Sequence, residues 1–175
     1  MNRSLRTIPL LLLIVLVAGF AWRLVKPADP AVHSTMIERT APPFALAPAT
    51  PGKPGLTSAD LADGKPKLLN FFASWCVPCA SEADVLAALR KKGVRIDAIA
   101  VRDTPDATTA FLNRYGDPYT RMGSDPQSAV QISLGSSGVP ETFVVDGKGV
   151  IRRQYVGPLT AANIPGVLEQ LDALR

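Results

Sequence analysis

The chain has two cysteines, three positions apart in Trp75-Cys76-Val77-Pro78-Cys79. Thiols at this spacing can close on one another, pass between dithiol and disulfide, and exchange with a disulfide elsewhere. The flanking residues suit that use. Residues 67–72, Lys-Leu-Leu-Asn-Phe-Phe, are an apolar run that predicts a buried strand. Residues 80–92 have helical character and stop at Gly93, a good residue just past a helix end. The pair therefore sits at a strand-to-helix junction. Cys76 falls at the exposed helix N-terminus, where free backbone N–H groups and the helix dipole favour a thiolate, so it is expected to attack. Cys79 faces inward one turn further on, placed to resolve a mixed disulfide. Pro78 occupies the first turn, where its missing N–H is tolerated.

Two other uses of the pair are weak. A zinc site needs four ligands, whereas the chain offers two cysteines and one distant histidine, His33, so no metal is expected. A purely structural disulfide closing about four residues would contribute roughly 2 kcal/mol, against about 4.7 for a loop of about 100. It would also restrain a turn that the helix already holds.

The helix must position one further candidate. Cys79, Glu82, Ala83, Leu86 and Leu89 recur at helical spacing and share one face. Glu82 is either a helix-end acid that reaches water or a partly buried carboxylate that raises the thiol pKa values and relays protons. Arg90, Lys91 and Lys92 complement the other end of the helix.

The remaining elements alternate as in α/β folds. A strand is expected over 94–101, then a helix capped by Thr104-Pro105 that runs to Tyr115 and ends at Gly116. Asp117-Pro118-Tyr119 reads as packing. Residues 127–134 suggest a short helix or turn. Residues 142–145 and 150–156 form a hairpin about Asp146-Gly147, with Pro140 just before it. A helix over 161–174 closes the fold. Upstream, 41–46 suggests a short edge strand and 48–55 a loop.

The N-terminus differs in kind. Arg3 and Arg6 precede an uncharged run over 8–22, and Arg23 and Lys26 follow. With Leu24 and Val25 the apolar stretch is 18 residues, about 27 Å of helix, enough for a transmembrane anchor. Gly19-Phe20-Ala21 would alternatively allow a cleaved signal peptide. The basic start stays cytoplasmic and the rest is exported. The expected organisation is an anchor at 1–26, a linker at 27–40 containing His33, and one folded domain at 41–175. The net charge of +4 belongs to the first segment, since 15 basic and 15 acidic residues remain downstream. Nothing in that balance suits nucleic acid.

Ala73-Ser74-Trp75-Cys76-Val77-Pro78-Cys79 after a strand resembles the thioredoxin superfamily. Gly138-Val139-Pro140-Glu141-Thr142-Phe143 narrows the resemblance to the membrane-anchored thiol:disulfide interchange proteins of cytochrome c maturation, the CcmG/DsbE type. The resemblance implies a thioredoxin-like α/β fold, a central mixed sheet flanked by helices. It implies a cis Pro140 against the cysteines, with Val139 free to pair with a substrate strand. Trp75, Val77 and Pro78 would front the groove and Glu141 would be its acidic neighbour. It supports the tuning role for Glu82. Ser136-Ser137 depart from the family, which commonly has an aromatic residue there.

The implied activity is a thiol:disulfide oxidoreductase anchored in the cell inner membrane, with its domain on the periplasmic side. It needs no cofactor beyond the Cys76–Cys79 disulfide. Val77-Pro78 lacks the histidine that stabilises the thiolate in strong oxidants, and a nearby carboxylate opposes the thiolate too, so the expected direction is reduction. By the resemblance, the substrate is the oxidised Cys-x-x-Cys-His of apocytochrome c and the electron donor a membrane thiol transporter. A general periplasmic disulfide reductase and a non-enzymatic apocytochrome holding factor are the alternatives. Loss of both cysteines would separate the holding factor from the enzymes.

Overall fold

The computed structural model describes residues 3–25 and 34–175, and in the first helix the side chains of residues 9 and 11–22. The chain divides into two compact units, Met1–Ala31 and Val32–Arg175. In the first, α1 spans Arg3–Val25 with Pro9 inside it. Its described large apolar side chains, such as Leu16 and Phe20, are exposed. Among the described residues no helix is long and apolar enough to cross a membrane. The expected anchor reaches past the described residues at 1–2 and 26, and the expected linker at 27–40 lies outside them at 27–33, His33 included. Its described part, 34–40, packs on the domain. There Ser34 is buried and donates its N–H to Gln154 Oε1 at 2.6 Å, and the Glu38 N–H donates to the Ile151 carbonyl at 2.7 Å.

In the second unit β1 (Ala45–Leu46) pairs antiparallel with β2 (Leu56–Thr57). The expected edge strand at 41–46 is thus reduced to two residues in a small separate sheet. Helix α2 (Ser58–Leu61) follows, opened by Thr57 and Asp60, which cap each other's backbone N–H. Strand β3 (Lys67–Phe72) is buried along its whole length. It leads into α3 (Val77–Lys91), capped by Cys76 and left through Gly93 at φ 86°. Strand β4 (Ile96–Val101) and α4 (Pro105–Tyr115) come next, with Thr104 Oγ1 accepting from the Ala107 N–H at the N-cap.

Strand β5 (Met122–Asp125) was not expected. Its Met-Gly-Ser-Asp sequence carries little strand signal. Gly123 is there for packing, because a Cβ would stand 2.7 Å from the Leu46 Cβ. Helix α5 (Ala129–Ser133), β6 (Glu141–Val145) and β7 (Ile151–Val156) match the expected turn and hairpin. The closing helix starts as a 3₁₀ turn, Ala161–Asn163, and continues as α6 (Ile164–Ala173).

The five-stranded sheet runs β5-β4-β3-β6-β7, with β3 at its centre. Strand β3 is parallel to β4 and antiparallel to β6, so the sheet is mixed, as expected. The period of two sorts β3 to its two faces. Leu68 and Phe72 join Cys79, Leu86, Leu89, Phe111 and Val167, the face of α3, α4 and α6. Leu69 and Phe71 face the other way with Leu61, Val130, Leu134 and Phe143, the face of α2 and α5. Lys67 enters the strand fully buried because its Nζ donates to the carbonyls of Asp60 and Leu61 and to the Asp63 carboxylate.

Candidate active site

The end of the central strand delivers Cys76 to the N-cap of α3, and Cys76 and Cys79 are joined in a disulfide. The Cys79 N–H donates to Cys76 Sγ at 3.2 Å. That N–H, with the helix N-terminus behind it, is the group that would stabilise a thiolate on Cys76 after reduction. One expectation needs correcting. Cys76 is not exposed: it is 5% accessible, little different from Cys79 at 3%. Trp75 (59%), Val77 (82%) and the exposed Pro78 stand in front of it instead. Attack by Cys76 therefore rests on its N-cap position and not on exposure.

Two groups hold the cysteine loop from the β4–α4 connection. Asp103 accepts from the Ser74 N–H at 2.6 Å and from Ser74 Oγ at 2.7 Å. The indole N–H of Trp75 donates to the Arg102 carbonyl at 3.1 Å. Neither residue was picked out from the sequence, where Asp103 reads only as the residue before a helix cap. Its partner lies 29 residues away.

Glu82 lies where its helical spacing put it, on the buried stripe of α3 with Cys79. It is fully buried, which rules out a carboxylate that reaches water. Its oxygens accept from Asn70 Nδ2 at 3.0 Å and from the Leu159 N–H at 2.9 Å. Burial pushes its pKa up to about 7, against the opposing effect of those two hydrogen bonds. Asn70 in turn donates to Thr142 Oγ1 and accepts from the Tyr119 hydroxyl at 2.9 Å. Tyr119 is stacked on Phe72, and its pKa lies well above the usual value, first through burial and then through the Glu82 charge. The Asp117-Pro118-Tyr119 segment thus packs, as expected, and also completes a buried polar network beneath the cysteines. The one visible signal was Asn70 itself, a lone polar residue in an apolar strand, which must find partners.

Pro140 is buried after a cis peptide bond from Val139. Val139 is half-buried and packs against both faces of the core. Among the described residues its backbone N–H and C=O have no partner, which leaves them open to an incoming strand. Glu141 is not the acidic neighbour of the groove. It is fully buried, on the β6 face shared with Phe143 and Val145, opposite α3. There it accepts from the Ser137 N–H at 2.9 Å, from both serine hydroxyls of Ser136-Ser137, and from Gln154 Nε2. The two-residue period of the strand turns it away from the cysteines, so it holds the loop before Pro140 from behind. Among the described residues no cluster of side chains suits a metal ion.

Residues 37–171 match the redoxin family. The chain belongs to the redoxin family. Within it the chain is of the DsbE/HelX type. It is 42% identical over 174 residues to the thiol:disulfide interchange protein HelX of Rhodobacter capsulatus, covering 99% of this chain and 98% of the relative. It is 37% identical over 168 residues to the thiol:disulfide interchange protein DsbE of Vibrio cholerae, covering 93% and 90%. A solved thiol:disulfide interchange protein of the thioredoxin family from Chlorobium tepidum superposes with a TM-score of 0.60 at 28% identity, over 82% of this chain and 99% of that one. This redoxin is a thiol:disulfide oxidoreductase with a thioredoxin-like fold.

Proposed function

We propose that this redoxin is a membrane-tethered disulfide reductase of cytochrome c maturation. Its domain faces the periplasm and acts on the oxidised Cys-x-x-Cys-His of apocytochrome c. The observation that carries the reducing direction is the buried Glu82, one turn from Cys79 on the same stripe. A carboxylate there opposes ionisation of the thiols, and exposed Val77 and Pro78 bring no positive charge to offset it. A reduced form without thiolate stabilisation gives up its electrons more readily.

The steps balance without a cofactor. The Cys76 thiolate attacks one sulfur of the substrate disulfide and displaces the other as a thiolate. Cys79 loses its proton towards the Glu82 carboxylate and attacks Cys76 Sγ. The second substrate sulfur leaves as a thiolate, and the Cys76–Cys79 disulfide remains. The substrate takes up two electrons and, once protonated, two protons. A membrane thiol transporter restores the dithiol.

The tether rests on the 18-residue stretch at 8–25, uncharged but for Arg23, and on the arginines before it. The apocytochrome reading rests on the resemblance carried by Gly138–Phe143 and on the interchange-protein names of the relatives. Ser136 and Ser137, turned towards Glu141, favour a second reading with wider clientele, a general periplasmic disulfide reductase. Trapping with Cys79→Ser separates them. Apocytochrome captured as the dominant mixed disulfide supports the first reading, and a spread of unrelated periplasmic proteins supports the second. A double cysteine variant that still matures cytochrome c would make the protein a holding factor instead.

A further inference from the structure

Beside the cysteine loop, past Trp75, lies a groove of about 270 Å³. Trp75 and Val139 form its side nearest the cysteines, and Ile132, 68% exposed, forms part of its outer wall. Arg102 and Ser128 complete it from two different loops.

Arg102 is set up in an unusual way. Its backbone is left-handed at φ 49°, and so is that of Ser128 at φ 58°. Left-handed backbone at a non-glycine residue costs on the order of 1 kcal/mol and persists where the surroundings impose it. Here two such residues meet, as Arg102 Nε donates to the buried Ser128 Oγ at 2.8 Å. The same Arg102 offers its carbonyl to the Trp75 indole. One residue thus holds the aromatic wall by its backbone and is itself oriented by its side chain. Among the described residues no carboxylate pairs with Arg102. Exposed cations such as Arg90, Lys91 and Lys148 also have none, but Arg102 is the one that lines this groove and is oriented in it by Ser128. Two acids beside it are occupied. Asp103, next in sequence, accepts from Ser74 and Thr104. Asp125, whose carbonyl accepts from the Arg102 N–H, gives its carboxylate to the Ala129 and Gln131 N–H groups.

The geometry points to Arg102 as a specificity-determining residue that pairs with an Asp or Glu side chain of the client polypeptide close to its reactive cysteine. An extended client pairing with Val139 would run its neighbouring side chains over this groove, with an apolar residue on Trp75 and Ile132. A guanidinium oriented by one neutral hydrogen bond, from Nε to Ser128, and without a carboxylate partner is matched by a carboxylate. The inference deepens the reductase reading and rests on it.

The test compares synthetic peptides closed by a Cys-x-x-Cys disulfide that differ only by Glu or Gln at one flanking position, each position in turn. The reduced full chain in detergent is mixed with each peptide at low ionic strength, and the second-order rate of reduction is read. At the best position the Glu peptide should react about fourfold faster than the Gln peptide, about 0.8 kcal/mol at 1.4 kcal/mol per decade. Arg102→Gln should bring the ratio to about one, and Arg102→Glu should invert it. Ser128→Ala should lower it part-way. Lys148→Gln removes the same charge from the exposed β6–β7 turn and should leave the ratio at the wild-type value. An equal Glu-to-Gln ratio in wild type and Arg102→Gln, or a ratio of one at every position in wild type, overturns the role of Arg102 while the reductase reading stands. If wild type reduces neither peptide yet still reduces hydroxyethyl disulfide, the polypeptide-reductase reading falls and the role of Arg102 falls with it.

Discussion

In the oxidised protein the thiols do not titrate, so a Glu82→Gln substitution isolates one buried carboxyl. Its folded pKa of about 7 stands above the ordinary 4.5. Between those values the folded chain keeps the Glu82 proton while the unfolded chain has lost it. Stability must then fall as pH rises through that window, with a slope of up to about 1.4 kcal/mol per pH unit. The whole loss, reached above pH 7, is about 3 kcal/mol at 1.36 kcal/mol per unit. In the variant this contribution is absent. The Gln amide must face either Asn70 Nδ2 or the Leu159 N–H with a donor, which costs roughly 1–3 kcal/mol at every pH. The offset is pH-independent, so the slope of the difference carries the test. Asp97 is also raised by burial, and its slope is common to both proteins. Asp60, Asp63 and Asp146 are lowered, so they lose stability only below the usual carboxylate range. Urea unfolding of both oxidised proteins from pH 4 to 8 is the assay. A wild-type-minus-variant curve that stays flat between about pH 5 and 7 would refute a carboxyl held protonated by burial.

Other outcomes follow from the same geometry. In the reduced protein Glu82→Gln should lower the apparent pKa of at least one thiol by about one unit and make the protein a poorer reductant, as read by alkylation rate against pH and by redox titration. Cys76 should be alkylated first in the reduced chain, and preferential labelling of Cys79 would reverse their roles. Asp103→Ala removes three hydrogen bonds to a charged acceptor, two from Ser74 and one from the Thr104 N–H. It should cost about 2 kcal/mol in urea unfolding and slow exchange, since Ser74 then no longer fixes the cysteine loop. Carbonate-washed membranes should retain the full-length chain, and a mature N-terminus near residue 22 in the supernatant would indicate a cleaved signal.

What the sequence determined alone was local in origin. The Cys76–Cys79 spacing, the helix behind it with its exit at Gly93, the next helix with its Thr104 cap, and the apolar pattern of β3, β4 and β6 all follow from periodicity and capping, which act over a few residues. Glu82 was legible for the same reason, since helical spacing placed it on the inward face before any partner was known. What only the tertiary structure decided was pairing across long separations. The weak strand β5 exists because β4 offers it an edge and Gly123 lets Leu46 close over it. Asp103 reaches Ser74, and Tyr119 reaches Asn70 from 49 residues away, through contacts that no local pattern encodes. Glu141 shows the limit most directly. Its position beside Pro140 suggested the groove, but strand register turns alternate residues to opposite faces, and register is set by the β3 and β7 partners on either side.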